Sequence, residues 1–198
     1  MNLREFQKRD METAVSVMCA AFQDDSLYAY FIEDPGVRAR FLRAFMRFRL
    51  KYGLKAGTVW VTDGCKGVLI LIKPNQVMSP KHLLLYGGLS AMLGCTSAQR
   101  DRIMRFNAFA DSQCERYVQQ PFWHVSPICV SPEAQGKGLG SALLRRGLEL
   151  AGASGQPCYL ETQSAKNLPF YEACGFVQAG QAEVPGSGLT SYSMIFRP

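Results

Sequence analysis

Residues 130–144, reading Val-Ser-Pro-Glu-Ala-Gln-Gly-Lys-Gly-Leu-Gly-Ser-Ala-Leu-Leu, join a strand pattern to a helix pattern through three alternate glycines. Upstream, Phe122 to Val130 is rich in β-branched and aromatic residues, and downstream Leu139, Ala142, Leu143, Gly147 and Leu150 recur at helical spacing. At the first turn of a helix several N–H groups lack carbonyl partners, and the helix dipole adds partial positive charge there. Gly136, Gly138 and Gly140 let successive N–H groups converge, and Lys137 adds a full charge beside them. The junction therefore suits an anion such as a pyrophosphate. A glycine turn without ligand is the plainer alternative, although each glycine costs about 0.5–1 kcal/mol in folding entropy.

Spacing separates this loop from other phosphate loops. A nucleotide-triphosphate loop needs Ser or Thr after its lysine, whereas Gly138 follows Lys137 and Ser131 stands where the first glycine belongs. The dinucleotide fingerprint fails at Ser141 and lies too late in the chain. Gln135, Gly138 and Gly140 instead resemble the acetyl-CoA loop of the GNAT acetyltransferases, in which Gln or Arg precedes two residues, Gly, one residue and Gly or Ala. The resemblance runs on through Tyr159-Leu-Glu-Thr162, Asn167-Leu-Pro-Phe-Tyr-Glu172 and Gly175-Phe176, in the order of the puromycin-type members of that family. It covers about the last two fifths of the chain; the first 120 residues match in general layout only.

The resemblance implies acetyl-CoA as co-substrate and direct transfer to an amine in a ternary complex. It assigns Ile128, Cys129 and Val130 to the pantetheine arm. Gln135, Gly136, Lys137, Gly138, Leu139, Gly140 and Ser141 fall to the loop and helix start, and Asn167 to the next helix. An ammonium acceptor must lose a proton before it attacks. Glu161, a carboxylate among apolar neighbours, is the expected base, with a surface or salt-bridged glutamate as the alternative. His124 is the rival base, since an imidazole ordinarily titrates near neutrality; it stands where the puromycin-type pattern has Tyr. Tyr171 shares a helical face with Asn167 at i and i+4, which suits protonation of the departing sulfur; core packing is its other reading. Pro127 within the motif strand signals either a bulge that opens a slot or an edge strand. Tyr28, Tyr30 and Phe31, read as a turn, are the expected acceptor contacts.

Composition fits one domain over residues 1–198. Hydrophobic residues make up 47% with mean hydropathy −0.05, and the longest apolar stretch, Leu83 to Gly94, falls short of the ~18 residues a membrane helix needs. With no signal segment in MNLREFQKRDMETA, a cytoplasmic protein is expected, with no membrane partner. Seven scattered cysteines lack metal or disulfide spacing, so no metal is expected.

Element order reads as follows. Leu3–Phe6 forms a strand, Asp10 caps a helix through Phe22, and a helix follows Asp34-Pro35. Residues 58–62 and 67–72 flank Asp63-Gly64 as a hairpin. Helices at 80–94 and 97–119 lead to the motif strand, and strand 158–163, helix 167–174 and strands 176–183 and 190–196 complete the chain. This order builds an α/β (α+β) fold of GNAT type, a central mixed, mostly antiparallel sheet with helices on both faces. The helix after Pro35 carries seven basic residues, and the net charge is +6. A solvated face that steers the polyanionic co-substrate is the expected meaning, with no nucleic acid as partner. The acceptor is expected to be a small-molecule amine and the protein a monomer or homodimer. A protein-modifying acetyltransferase and a CoA-binding regulatory module without turnover are the alternatives.

Overall fold

One strand that is apolar at every position sets the layers of the molecule. The computed structural model describes residues 2–198. Its elements are β1 (Leu3–Glu5), α1 (Met11–Phe22), α2 (Ser26–Phe31), α3 (Pro35–Ala56), β2 (Gly57–Thr62), β3 (Gly67–Ile72), α4 (Pro80–Leu85) and α5 (Gly88–Met92). They continue with α6 (Ser97–Tyr117), β4 (Trp123–Val130), α7 (Leu139–Ser154), β5 (Cys158–Thr162), α8 (Leu168–Ala173), β6 (Val177–Glu183) and β7 (Thr190–Phe196). All six residues of β3 are buried, as expected of a strand covered on both faces. Val68, Ile70 and Ile72 join the core beneath α1 and α3, while Leu69 and Leu71 join the core beneath α7 and α8. The period of two divides one strand between two cores.

The sheet has seven strands in the order β1-β2-β3-β4-β5-β7-β6. Neighbouring strands run antiparallel except β4 and β5, which run parallel. The expected mixed, mostly antiparallel sheet with helices on both faces is what the chain forms. Hairpin β2–β3 is closed by a short 3-10 turn, Asp63–Cys65, with Gly64 at φ 66°. Among the described residues no helix is long and apolar enough to cross a membrane.

Four local expectations are corrected. Asp10 holds the N-cap position of α1 as expected, but its side chain makes no capping bond; its carboxylate accepts two bonds of 2.7 Å from the Arg4 guanidinium and one from the Gln7 N–H. Arg4 thereby holds the Asp10 carboxyl below the usual carboxylate range. The segment holding Tyr28, Tyr30 and Phe31 is a helix, α2, because Asp25 accepts from the N–H groups of Leu27 and Tyr28 and starts it. The helix expected at 80–94 is two, broken at Gly87, whose φ of +82° leaves the helical region. The basic face of α3 is only partly solvated. Arg38 is buried and donates to the carbonyls of Gln23, Ile32 and Glu33, and Arg49 turns in to Ser126.

Candidate active site

The site is opened by an irregularity in β4. Leu69 of β3 pairs with Ile128 but Leu71 pairs with Val125, so β4 carries one extra residue across Ser126-Pro127. Of the two readings of Pro127, the bulge is the correct one, since β4 lies inside the sheet between β3 and β5. Pairing with β5 is confined to Trp123–Cys158 and His124–Tyr159. Beyond His124 the two parallel strands part, and a slot opens between them.

A cleft of about 760 Å³ fills the space below that slot. Ile128, Cys129 and Val130 line it from β4, Gly136 and Gly138 to Ser141 from the loop and the start of α7, and Asn167 and Tyr171 from the opposite wall. Gly136 and Gly138 adopt φ of +75° and +76°, a left-handed backbone that L side chains rarely take. Gly138 sits at the N-cap of α7 without any capping side chain. Among the described residues, the N–H groups of Leu139, Gly140 and Ser141 find no acceptor in the protein. Three free donors at a helix start, facing a cleft of this size, fit a pyrophosphate. Gly140 serves packing, because a Cβ there would stand 3.3 Å from the Phe170 ring.

One expected residue sits differently. Lys137 lies outside the cleft, its ammonium turned back to donate to the Glu133 carbonyl at 3.1 Å. Gln135 does line the cleft and donates to the Val130 carbonyl at 3.3 Å. Asn167 donates to Thr162 Oγ1 at 3.1 Å, which ties the start of α8 to the end of β5. Cys129 faces the cleft, yet burial pushes its thiol up to about 12, so it stays protonated at neutral pH.

The titratable groups gather on both sides of the sheet at the slot. His124 Nε2 and Glu161 Oε2 stand 3.2 Å apart, bridging β4 and β5, with side chains 29% and 20% exposed. The two rival bases are thus one hydrogen-bonded pair. His124 and Glu161 share the sheet face of Tyr159, which packs toward Cys114 and Tyr117 of α6. Tyr171 belongs to the other core, with Leu143 and Phe176, and is buried. Burial, and after it the charge of Glu161, raises the Tyr171 phenol well above its ordinary value. It therefore holds its proton and can donate it.

Residue pattern alone did not reveal two further contributors. Ala21, Phe22, Asp24 and Asp25, at and just beyond the end of α1, form a wall of the cleft. From α6, Asp111 feels the field of the pair. Burial raises its carboxyl, and Glu161 and Glu115 add to the rise while His124 opposes it.

Residues 95–178 match the model of the acetyltransferase (GNAT) domain. The chain carries a GNAT acetyltransferase domain. The matched segment spans the bulged strand, the glycine loop, α7 and Tyr171, all of which build the cleft. Such domains use acetyl-CoA as co-substrate, and the protein is an acetyl-CoA-dependent N-acetyltransferase. It is similar to an uncharacterized N-acetyltransferase of Schizosaccharomyces pombe, 24% identical over 187 residues that cover 89% of this chain and 74% of that one. Among solved structures, a Corynebacterium glutamicum protein described as histone acetyltransferase HPA2 and related acetyltransferase aligns with TM-score 0.71 and 24% identity, covering 100% and 96% of the two chains. A Drosophila melanogaster polyamine N-acetyltransferase that forms N-acetylagmatine aligns with TM-score 0.65 and 14% identity, covering 100% and 99%. At these identities the structural likeness of the GNAT domain speaks for the fold.

Proposed function

We propose that residues 1–198 act as one domain that transfers the acetyl group of acetyl-CoA to the amine of a small molecule, by direct attack across the β4–β5 slot. The observation that carries this reading is the slot itself. It has the Glu161–His124 pair on one side and, on the other, Tyr171 with a cleft of free N–H donors. Leu139, Gly140 and Ser141 would hold the pyrophosphate, and Ile128, Cys129 and Val130 would pair with the pantetheine arm. An ammonium acceptor gives one proton to the Glu161–His124 pair and attacks the thioester carbonyl as a neutral amine. A C–N bond forms, the C–S bond breaks, and the Tyr171 hydroxyl supplies the proton that leaves CoA as a thiol. The pair releases its first proton to solvent, takes the second nitrogen proton and, through solvent, returns it to Tyr171.

The acids around the pair bear on the acceptor. Asp111 and Glu115 on α6 add negative charge beside Glu161, which suits an amine carrying a second positive charge. The Drosophila relative acts on polyamines, and its product is N-acetylagmatine. Agmatine and polyamines therefore head the panel that tests the proposal, with free-thiol release as the readout and acetyl-CoA, NAD and Mg-ATP compared by melting temperature. Thiol release with such an amine and a melting shift with acetyl-CoA alone are expected. A melting shift without turnover of any small amine would favour a protein acceptor or a regulatory module, and a shift with NAD or Mg-ATP alone would remove the cofactor reading.

A further inference from the structure

The outer surface of α4 and α5 carries apolar side chains that nothing else among the described residues covers. Among the described residues, nine large hydrophobic side chains stand exposed, and six of them fall within residues 77–93, on α4, α5 and their flanks: Val77, Met78, Leu84, Leu85, Leu89 and Leu93. Leu93 is 82% exposed, Val77 78% and Leu85 71%. The same two helices turn Leu83, Gly88 and Ala91 inward toward Phe48 and its neighbours, so the core is already satisfied and the outward residues are a separate set. Exposed apolar side chains scattered singly are ordinary, whereas a cluster of this kind marks a contact surface.

A cationic groove of about 330 Å³ runs between α3 and the α4–α5 turn, lined by Arg40, Arg43, Arg47, Lys51, Tyr86 and Ser90. Glu12 answers Arg43 and Arg47, but among the described residues Arg40 and Lys51 have no ion pair. No Asp or Glu occurs at 35–56 or at 64–100, so the segments that carry the leucines and the groove supply only positive charge, against the single carboxylate of Glu12.

We propose that this face docks the enzyme on an anionic lipid surface. The leucines of α4 and α5 enter the headgroup layer, and Arg40, Lys51 and their neighbours meet lipid phosphates and carboxylates. Short helices with apolar side chains on one side and cations beside them lie on a membrane rather than cross it. A second copy of the chain fits less well, because a two-fold contact would set the cations of α3 against themselves. A protein partner would need pockets shaped for six projecting side chains, while a fluid headgroup layer needs none.

The test is flotation of the full chain with vesicles of two parts phosphatidylcholine to one part phosphatidylserine, against phosphatidylcholine alone. The protein is expected to float with the anionic vesicles only. Arg40→Gln with Lys51→Gln should weaken binding roughly thirtyfold, about fivefold per charge removed. Leu85→Gln, Leu89→Gln and Leu93→Gln together should abolish it, while the melting shift with acetyl-CoA stays as in the parent and shows that the variant is folded. Failure to float with either vesicle, equal flotation with both, or undiminished flotation of the leucine variant would each overturn the proposal. So would a dimer in light scattering that the leucine substitutions dissociate while vesicles are ignored. The outcome is independent of the acceptor assignment, because none of these residues touches the cleft.

Discussion

One side of the β4–β5 slot is built from backbone and the other from side chains. Toward α7, the groups offered to a ligand are N–H donors whose directions depend on two left-handed glycines. Toward α6, they are an imidazole and a carboxylate 3.2 Å apart, with further acids behind them. Backbone donors hold whatever shares the shape and charge of a pyrophosphate, and no single side chain can be removed to abolish them. Side-chain charges can be removed one at a time, and each removal changes one step of the chemistry. Loop substitutions should therefore alter binding of acetyl-CoA, whereas slot substitutions should alter rate.

The largest expected effect tests the rate side. Tyr171→Phe deletes one hydroxyl and leaves a ring that still packs against Phe176. Its maximal rate should fall by about 10²–10⁴, with acetyl-CoA affinity nearly unchanged, because the hydrogen bond matters most when thiolate charge develops. Stopped-flow thiol detection and a binding titration separate the two quantities. Equal small losses in both would turn Tyr171 into a binding residue, and the contrast between the sides would weaken.

Gly138→Val tests the backbone side. A β-branched residue resists φ of +76°, so the donors at the start of α7 should lose their convergence. The stabilisation given by acetyl-CoA at about 100 times its dissociation constant, about 2.7 kcal/mol in the parent, should vanish from the melting curve. A Gly138→Val protein that melts as a folded chain and still responds to acetyl-CoA would break the comparison at its other end.

Smaller effects sharpen it. Asp111→Asn should raise KM for a doubly charged amine by about threefold to tenfold, as loss of a nearby solvent-screened charge does. Its stability effect has a definite sign. A carboxyl raised in the fold contributes stability at low pH that fades as pH rises through its folded value. The stability of the Asn variant relative to the parent, followed by melting, should therefore climb from acid to neutral pH, by no more than a few tenths of a kcal/mol because Asp111 is largely open to solvent. Lys137→Ala should change acetyl-CoA affinity by less than about threefold, because that ammonium is turned to Glu133. A tenfold loss would return Lys137 to the cofactor site.

The order of these effects follows what local sequence encodes. Glycines at 136 and 138, Asp34 before Pro35, and the unbroken apolar run of β3 state their conformations within a few residues, and the loop, α3 and the central sheet were legible for that reason. The turn of the Lys137 side chain and the pairing of Asp10 with Arg4 depend on which neighbour stands nearer, and a linear pattern does not record that. The joining of His124 with Glu161 depends on the parallel register of β4 and β5, strands that 27 residues of loop and helix separate in the chain. Neither residue alone predicted the pair. Asp111 and the wall of Asp24 and Asp25 are farther still from the motif, and only the packing of α1 and α6 brings them to the slot. The break at Gly87 was missed because apolar spacing continued across it.

Glu161→Gln is the most direct test of transfer across the slot, since it keeps the size of the side chain and removes its charge. Turnover of acetyl-CoA with the best amine should be followed by thiol release across pH, for this variant and for His124→Asn, with acetyl-CoA affinity measured on the same samples. The account predicts that Glu161→Gln loses about 10² or more of the maximal rate at neutral pH, that His124→Asn alters the acid limb of the profile, and that both bind acetyl-CoA as the parent does. A Glu161→Gln protein that keeps the parent's rate and acid limb would contradict it.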